Sequence, residues 1–176
     1  MASFSKRSGK KKVEKTEDPA AFAYEEQLQL IKKNLSAHNE KVEFHEASHH
    51  DLFYLQSCNI PESIIEFYRT AEPDDVVEIN DARIWPVSIL KLENEKMEPG
   101  KTLFPFGFFV IGTTLYGDCY CLNLNSKKKD AEVILACHDE VDAYNSIENI
   151  LSSIKFVAPS FQHFLTLFSK SKLKVD

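Results

Sequence analysis

The spacing of apolar residues changes near residues 72–75, and this change limits the folds open to the chain. Before that point, apolar residues recur at helical spacing: Tyr24, Leu28, Ile31 and Leu35. After it, they alternate as in a strand, for example along residues 119–124. Helical spacing returns near the C-terminus: Phe161, Phe164, Leu165 and Phe168. This order predicts an α+β fold, in which N-terminal and C-terminal helices pack on a mainly antiparallel sheet.

Capping residues set the boundaries of the predicted N-terminal helices. The dipeptide Asp18-Pro19 starts the first helix, which runs to about Ala37. Ser48 begins the second, because it opens a variant capping box before an apolar run. Asn59 is predicted to cap the third, with a proline in its first turn. Proline and acidic turn formers at residues 72–75 end this third helix.

The block that follows is predicted to form short strands joined by turns. Residues 103–111 are nearly all apolar, as expected of a strand covered on both faces. Tyr116, Gly117 and Asp118 form a turn. The other predicted elements are strands around residues 77–79, 84–85, 119–124 and 133–137, a short helical turn over 87–92, and a hairpin loop over 125–130.

The charges divide the chain into a basic tail and an acidic body. The 21 Lys and Arg residues include six within residues 1–16, and the 27 Asp and Glu residues include one there, so this tail carries +5. The rest holds 15 basic and 26 acidic residues, a formal charge of −11. Residues 1–16 are almost without apolar side chains and are expected to be disordered, while residues 17–176 form one domain.

This charge distribution limits the partners. The acidic balance argues against nucleic acid as a partner of the folded body, because phosphate contacts need Lys and Arg. The basic tail is either a nuclear address, a nonspecific nucleic-acid contact or solvated chain. Its partner is unknown from the sequence.

Neither a membrane span nor an export signal is predicted. No run approaches the ~18 apolar residues that cross a bilayer, and no apolar stretch follows the basic N-terminus. We therefore expect a cytoplasmic protein, or a nuclear one if the source is a eukaryote. The four cysteines contain no C-x-x-C pair and are interpreted as small buried hydrophobic residues: Cys58, Cys119, Cys121 and Cys137.

One motif suggests metal chemistry. His45, Glu46 and His49 satisfy the H-E-x-x-H pattern of zinc proteases. On a single helix the two histidines would share a face and hold zinc while the glutamate activated its water. The better helix start lies inside the motif, at Ser48, which favours a polar connection with exposed histidines. A zinc hydrolase is the third alternative for the function.

A second candidate lies at the end of a predicted strand. His138 and Asp139 have the order of a base and its orienting carboxylate, with Cys137 beside them. No serine or cysteine is placed as their nucleophile, which favours a histidine with its hydrogen bonds satisfied at a strand end. The 5 glycines are too few and too widely spaced for a phosphate-binding loop. We therefore expect no catalytic residue, no metal and no cofactor.

Five carboxylates fall within ten residues, on a loop and the strand that follows it: Glu72, Asp74, Asp75, Glu78 and Asp81. A run of this kind is most often solvated surface. If it has a role, it attracts a basic partner protein at long range. These five residues form the candidate partner-binding cluster.

From about Ile60 onward, the order of signals resembles the SUKH superfamily, which includes fungal cell-wall assembly regulators and bacterial immunity proteins. The pieces that carry the resemblance are Ile60-Pro61-Glu62 before Phe67-Tyr68, Ile84-Trp85-Pro86-Val87 before Leu90, Phe104-Pro105-Phe106-Gly107, residues 116–123, Val133 before His138-Asp139, and residues 157–161 with Phe164-Leu165. The chain departs from the family pattern where residues 70–73 replace an Asn-Gly, and where Asn123 replaces a common aspartate.

The resemblance implies an α+β domain with helices on one face of a sheet and no catalytic apparatus. It also implies that the Gly117-Asp118 turn is structural, and that the protein works by binding other proteins. The leading hypothesis is an immunity protein that binds and neutralises a cognate toxin. The acidic body suits a basic target such as a nuclease toxin. The second hypothesis is a regulatory scaffold of the same fold in a eukaryote, with the basic tail as an address.

Overall fold

A computed structural model of the chain describes residues 23–38, 40–126, 130–141 and 146–173. Within these ranges the chain forms seven α-helices, a six-stranded sheet and a separate two-stranded sheet. Every strand pair is antiparallel, which confirms the predicted α+β fold. The basic tail and the predicted helix start at Asp18-Pro19 lie outside the described residues.

The strands of the larger sheet follow one another along the chain with few helices between them. The helices are α1 (Glu25–Ala37), α2 (His49–Ser57), α3 (Glu62–Ala71), α4 (Val87–Lys96), α5 (Gly100–Leu103), α6 (Ile147–Ser153) and α7 (Phe161–Ser169). The strands are β1 (Phe44–His45), β2 (Glu72–Pro73), β3 (Val77–Ile79), β4 (Ala82–Ile84), β5 (Phe108–Thr114), β6 (Cys119–Asn123), β7 (Glu132–Ala136) and β8 (Lys155–Ala158). The larger sheet has the order β3-β4-β5-β6-β7-β8, so each strand pairs with its neighbours in sequence, and β1 pairs with β2.

Of the four predicted boundaries of these helices that lie within the described residues, three are confirmed, including the end of α3 at Ala71. α1 ends at Ala37, and Ser48 caps α2 by accepting a hydrogen bond from the Asp51 amide. The cap predicted for α3 is wrong, because its N-cap is Pro61. Asn59 instead has a φ of +58° and closes α2, where the amide of Ile60 donates to the Leu55 carbonyl in a Schellman motif.

The strand predicted over residues 103–111 is partly wrong. α5 and a 3₁₀ turn (Phe104–Phe106) occupy its first part, and β5 begins only at Phe108. Pro105 lacks the amide that a sheet ladder needs, and Gly107 ends the turn with a φ of +82°. The short helical turn predicted over residues 87–92 extends to Lys96 as α4.

Aromatic side chains join three helices to one face of the larger sheet. Tyr24 of α1 lies 5.4 Å from Phe67 of α3, measured between ring centroids, and Phe67 lies 5.5 Å from Phe161 of α7. Phe164, one turn further along α7, lies 5.2 Å from Tyr120 of β6. The N-terminal and C-terminal helices therefore pack on the sheet, as predicted.

The opposite face of β6 is also buried. Cys119 and Cys121 alternate with Tyr120, and neither is exposed to solvent. Burial raises the pKa of both thiols, which keeps them protonated. Cys58 is buried too, whereas Cys137 is half-buried, and all four cysteines, each within the described ranges, are free thiols.

Three chain segments meet at one end of the sheet. Ala82 pairs with Thr114 and Cys119 pairs with Ala136, which places the β3–β4 turn, the β5–β6 turn and the end of β7 side by side. Within the described part of the chain, no helix is both long and apolar enough to cross a membrane.

Candidate partner-binding surface

Glu72 belongs to the core of the protein. The residue is only 5% exposed. Its Oε1 accepts a hydrogen bond at 3.0 Å from the amide of Val87, which is the first residue of α4. Burial raises the pKa of this carboxyl, although the hydrogen bond from Val87 acts in the opposite direction. Glu72 thus caps α4, and the structure places it away from the exposed members of the acidic cluster.

Asp74 holds two distant segments together. Its Oδ1 accepts from the Glu43 amide at 2.9 Å, and its own amide donates to the Glu43 carbonyl at 3.0 Å. These bonds continue the pairing of β1 with β2, where Phe44 lies opposite Pro73. The segment before β1, which includes Glu40, is thereby fixed beside the loop that leads into β3.

A shallow cleft brings three carboxylates together at the edge of the larger sheet. We call it the acidic cleft; its lining residues are Glu40, Asp75, Val76, Glu78, Arg83, Trp85 and Thr113. Val77 and Ile79 of β3 are buried, so the side chain between them points to the opposite face of the strand. That face carries the cleft.

One ion pair crosses the floor of the acidic cleft. Glu78 and Arg83 are directly opposite on β3 and β4, and the Arg83 Nε lies 2.7 Å from the Glu78 Oε2. This pair leaves the carboxylates of Glu40 and Asp75 in excess among the lining residues. The Asp75 carboxylate accepts a hydrogen bond from the Val76 amide, which fixes its orientation at the rim. The cleft therefore has a negative potential.

Asp81 lies at the other end of β3, in the β3–β4 turn. Its backbone carbonyl accepts from the amide of Leu115 at 3.0 Å, which ties this turn to the β5–β6 turn. Leu115 and Tyr116 are 41% and 73% exposed. The structure therefore places Asp75 and Glu78 in one cleft and Asp81 beside exposed apolar side chains at the far end of the strand.

The Gly117-Asp118 turn is held by hydrogen bonds to its neighbours. The Thr114 hydroxyl accepts from the amides of Tyr116 and Asp118, both at 3.2 Å. The Asp118 carboxylate lies 2.9 Å from His138 Nδ1 and accepts from the His138 amide at 3.1 Å. The turn is thus fixed to the end of β7, a structural role of the kind that the resemblance implied.

Each ring nitrogen of His138 lies close to a carboxylate, Nδ1 to that of Asp118 and Nε2 to that of Asp139. Its Nε2 lies 3.2 Å from the Asp139 carboxylate, while the hydrogen bond to Asp118 raises the pKa of the imidazole. Burial opposes ionisation of Asp118, but the hydrogen bonds from His138 outweigh it and lower the pKa of that carboxyl.

The H-E-x-x-H motif does not lie on one helix. His45 belongs to β1, Ser48 is the N-cap of α2, and His49 is the first residue of that helix. The His45 ring forms a hydrogen bond with the backbone carbonyl of Glu46. The geometry that would let His45 and His49 share a helix face is therefore not present, which removes the structural basis of the zinc hydrolase alternative.

One group of three potential ligands lies close together in the described part of the chain. Asp118, Cys137 and His138 each offer one ligand atom, all within 4.8 Å of one another. Carboxylate, thiolate and imidazole are ligands that zinc accepts. Here the Asp118 carboxylate already accepts the hydrogen bonds of its neighbours, so a metal ion would fit only if the bond between Asp118 and His138 broke.

Sequence reasoning missed five members of the acidic cleft, among them Glu40, Arg83 and Trp85. Glu40 is distant in sequence and reaches the cleft through the two-residue pairing of β1 with β2, which leaves no periodic signal. Arg83 could have been inferred, because a β3–β4 hairpin places it opposite Glu78.

Comparison with known proteins connects the chain to one family. The family model described as the SMI1 / KNR4 family (SUKH-1) matches residues 54–167, about two thirds of the chain. The comparisons with curated proteins and with solved structures found no match to this chain. The family match includes β3, β4 and most of α7 but not Glu40 or the basic tail.

Proposed function

Because this chain belongs to the SMI1/KNR4 family (SUKH-1), a member of the SUKH superfamily that its motifs resemble, we propose that it is a non-enzymatic binding protein. The specific role that we propose is that of an immunity protein, which binds a cognate toxin and keeps it inactive. Family membership supports the protein-binding part of this proposal. The toxin and its chemistry are inferred from the surface of this chain.

The acidic cleft is the observation that carries the proposal. Its carboxylates outnumber its single guanidinium, and the ion pair between Glu78 and Arg83 already neutralises that cation. Trp85, at 9% exposure, supplies an aromatic edge of the kind enriched at protein interfaces. A basic protein such as a nuclease toxin, whose own substrate is anionic, complements this surface.

Binding to a basic partner gives a defined dependence on charge and salt. Long-range attraction raises the association rate at low ionic strength, and salt screens it. We expect Glu40→Lys combined with Asp75→Lys to slow association with the cognate toxin by about tenfold at low salt, and by much less at high salt. Glu95→Lys combined with Glu148→Lys adds the same positive charge on the exposed surfaces of α4 and α6, outside the cleft, and is the matched control.

The test is co-expression of the full chain with toxins encoded beside its gene, followed by binding measurements on the purified pair. Rescue of growth by the wild type and by the control variant, together with loss of rescue in the cleft variant, supports the proposal. If none of these toxins is neutralised, the immunity role is wrong. If rescue by the cleft variant equals that of the wild type, the cleft is not the binding surface.

The regulatory-scaffold alternative is favoured by the basic tail, which lies outside the family match. It predicts that the wild-type chain neutralises no neighbouring toxin and that deletion of residues 1–16 changes where the protein is found in a eukaryotic cell. An unchanged distribution of the truncated protein contradicts the role of the tail as an address.

A further inference from the structure

A pocket opens beside the β3–β4 turn, on the side of β3 opposite to the acidic cleft. Its walls include Ile79, Asp81, Ala82, Tyr120, Phe168 and Leu173. Ile79 ends β3, Asp81 lies in the β3–β4 turn, and Ala82 begins β4. Phe168 lies near the end of α7, and Leu173 belongs to the chain that follows it. The β3–β4 hairpin therefore separates two concave surfaces.

The hydroxyl of Tyr120 is the unusual group in this pocket. The Tyr120 side chain is fully buried and its ring packs on Phe164. Its hydroxyl has no hydrogen-bond partner among the described residues, although it is inaccessible to solvent. A buried hydroxyl without a partner destabilises the fold, and most such groups in proteins are bonded to something. Tyr120 lines the pocket, so a donor that enters there and displaces the wall over the hydroxyl can bond to it.

The electrostatics around Tyr120 select a cation. Burial, followed by the negative charges of Asp118 and Asp81, raises the pKa of Tyr120 to about 12, so its hydroxyl is neutral. The oxygen can then accept a hydrogen bond while the Asp81 carboxylate, which is exposed in the turn, provides the counter-charge. Both oxygens can accept from one donor group, and the Asp81 carboxylate favours a positively charged one.

The apolar walls select the shape of that cation. Ile79, Phe168 and Leu173 form the apolar part of a wall that also includes Asn80 and Ser171, and this part is suited to a hydrocarbon stem. Arginine combines such a stem with a planar head of five donors, which can bond a carboxylate and a second acceptor together. A lysine has the stem but presents a point charge.

We propose that this pocket binds an arginine side chain of the protein partner, with its guanidinium between Asp81 and Tyr120. The inference rests on the proposed function and deepens it, because it names the anchor that a basic partner inserts. Glu78 in the acidic cleft and Ile79 in the pocket are consecutive residues of β3. A partner that inserts an arginine here would therefore wrap the edge of the sheet and meet the acidic cleft with its other basic side chains.

The experiment uses the full chain labelled with ¹⁵N and two probes, N-acetyl-arginine methylamide and its citrulline counterpart. Citrulline has nearly the same shape without the charge. We expect the arginine probe to cause saturable NMR shifts at residues 79–82, 120, 168 and 171–173, and to bind about tenfold more tightly than the citrulline probe. Equal responses to both probes mean that the pocket does not discriminate the charge, and no saturable shift means that it binds neither side chain; either result overturns the inference.

Two substitutions test the two polar contacts separately. Tyr120→Phe keeps the ring against Phe164 and removes the hydroxyl, and Asp81→Asn removes the charge of an exposed turn residue. Each is expected to weaken the arginine probe by about tenfold, as loss of a hydrogen bond to a charged group does. Glu148→Gln, on the exposed surface of α6 and outside both concave surfaces, is the control and should leave probe binding unchanged. Unchanged binding in both pocket variants overturns the inference.

Two outcomes separate this inference from the proposed function. If the cognate toxin is captured equally by the wild type and Tyr120→Phe, while the cleft variant fails, the arginine anchor is wrong and the proposed function stands. If deletion of residues 174–176 is needed before the arginine probe binds, the chain's own C-terminus occupies the pocket and the assignment to a partner is wrong. Selective probe binding without toxin capture supports the anchor and counts against the immunity role.

Discussion

The side chain of Asn94 pairs with both backbone groups of Val110: its nitrogen donates to the carbonyl at 2.9 Å, and its oxygen accepts from the amide at 2.8 Å. β4 ends at Ile84, opposite Gly112, so Val110 lies beyond the last pair that β4 makes with β5. Asn94, which is 2% exposed, takes the place of a strand neighbour. It satisfies two buried backbone groups that the sheet itself leaves without a strand partner.

Removal of this carboxamide should destabilise the fold strongly. We expect Asn94→Ala to lower the free energy of unfolding by about 2–4 kcal/mol, because it leaves both backbone groups of Val110 unsatisfied. Asn94→Asp should be at least as harmful, since a carboxylate would face the Val110 carbonyl. Urea denaturation measures both, with exposed Glu95→Ala in the same helix as the control, expected within about 0.5 kcal/mol of the wild type. A loss for Asn94→Ala no larger than that of the control contradicts this role.

The buried carboxyl of Glu72 gives a prediction with opposite outcomes for two substitutions. Glu72→Gln keeps an oxygen that accepts from the Val87 amide and removes a charge whose burial raises the pKa. A carboxyl with a raised pKa in the folded state stabilises the fold below its unfolded pKa and loses that contribution as the pH rises. At neutral pH the Gln variant should therefore be as stable as the wild type or more stable.

Glu72→Ala, by contrast, leaves the Val87 amide without its cap and should cost about 1–3 kcal/mol. Urea unfolding at pH 7 and pH 4 compares the three proteins. The advantage of the Gln variant over the wild type should shrink at pH 4, where the wild-type carboxyl becomes protonated. An Ala variant as stable as the Gln variant would show that the cap contributes nothing.

The sequence allows prediction of elements whose signals are local. Ser48 marks the start of α2 because its capping bond spans only three residues. The apolar stripe of α7 and the alternation along β6 are likewise readable from spacing. Elements that depend on distant partners were not predicted: β1 and β2 have two residues each, and β8 follows α6 without alternating burial.

The acidic surface shows the same division between local and distant information. Sequence proximity grouped five carboxylates, yet Glu72 enters the core and Asp81 lies at the far end of β3. Glu40 joins the cleft because the pairing of β1 with β2, and the bond of Asp74 to the Glu43 backbone that continues it, hold its segment there. A charge run identifies side chains near one another in sequence, whereas the cleft depends on which face of β3 each occupies and on a contact across more than thirty residues.

Gly112 and Gly117 should differ sharply in their tolerance of a methyl group. A Cβ at Gly112 would lie 1.9 Å from the Arg83 carbonyl oxygen, so β4 must move away from β5. Gly112→Ala should lower the free energy of unfolding by about 3 kcal/mol or more. At Gly117 the nearest atom is the His138 ring at 3.4 Å, and the cost arises from a φ of +97°.

Gly117→Ala should therefore cost only about 1–2 kcal/mol, as a strained backbone position does. Thermal and urea unfolding of the two variants give the comparison directly. A Gly112 variant that is as stable as the Gly117 variant would show that β4 is not held against β5 at this point.

The ion pair between His138 and Asp118 should make stability depend on pH. The raised pKa of His138 gives stabilisation that is complete below about 6.5 and is lost as the pH rises through the folded value. The lowered pKa of Asp118 gives stabilisation that is present above about 4 and is lost as the pH falls through its folded value. The pair therefore contributes most between these two limits.

His138→Gln tests this window. The difference in unfolding free energy between wild type and variant should be largest near pH 6 and should shrink towards pH 9, with a maximum of about 1 kcal/mol because the imidazole is half-exposed. Urea unfolding at several pH values measures it. His50→Gln is the control, since that imidazole is 75% exposed and lies 3.6 Å from Asp51, and it should show a smaller change. A difference for His138→Gln that is the same at pH 6 and pH 9 would mean that the imidazole holds the turn by packing alone, without its charge.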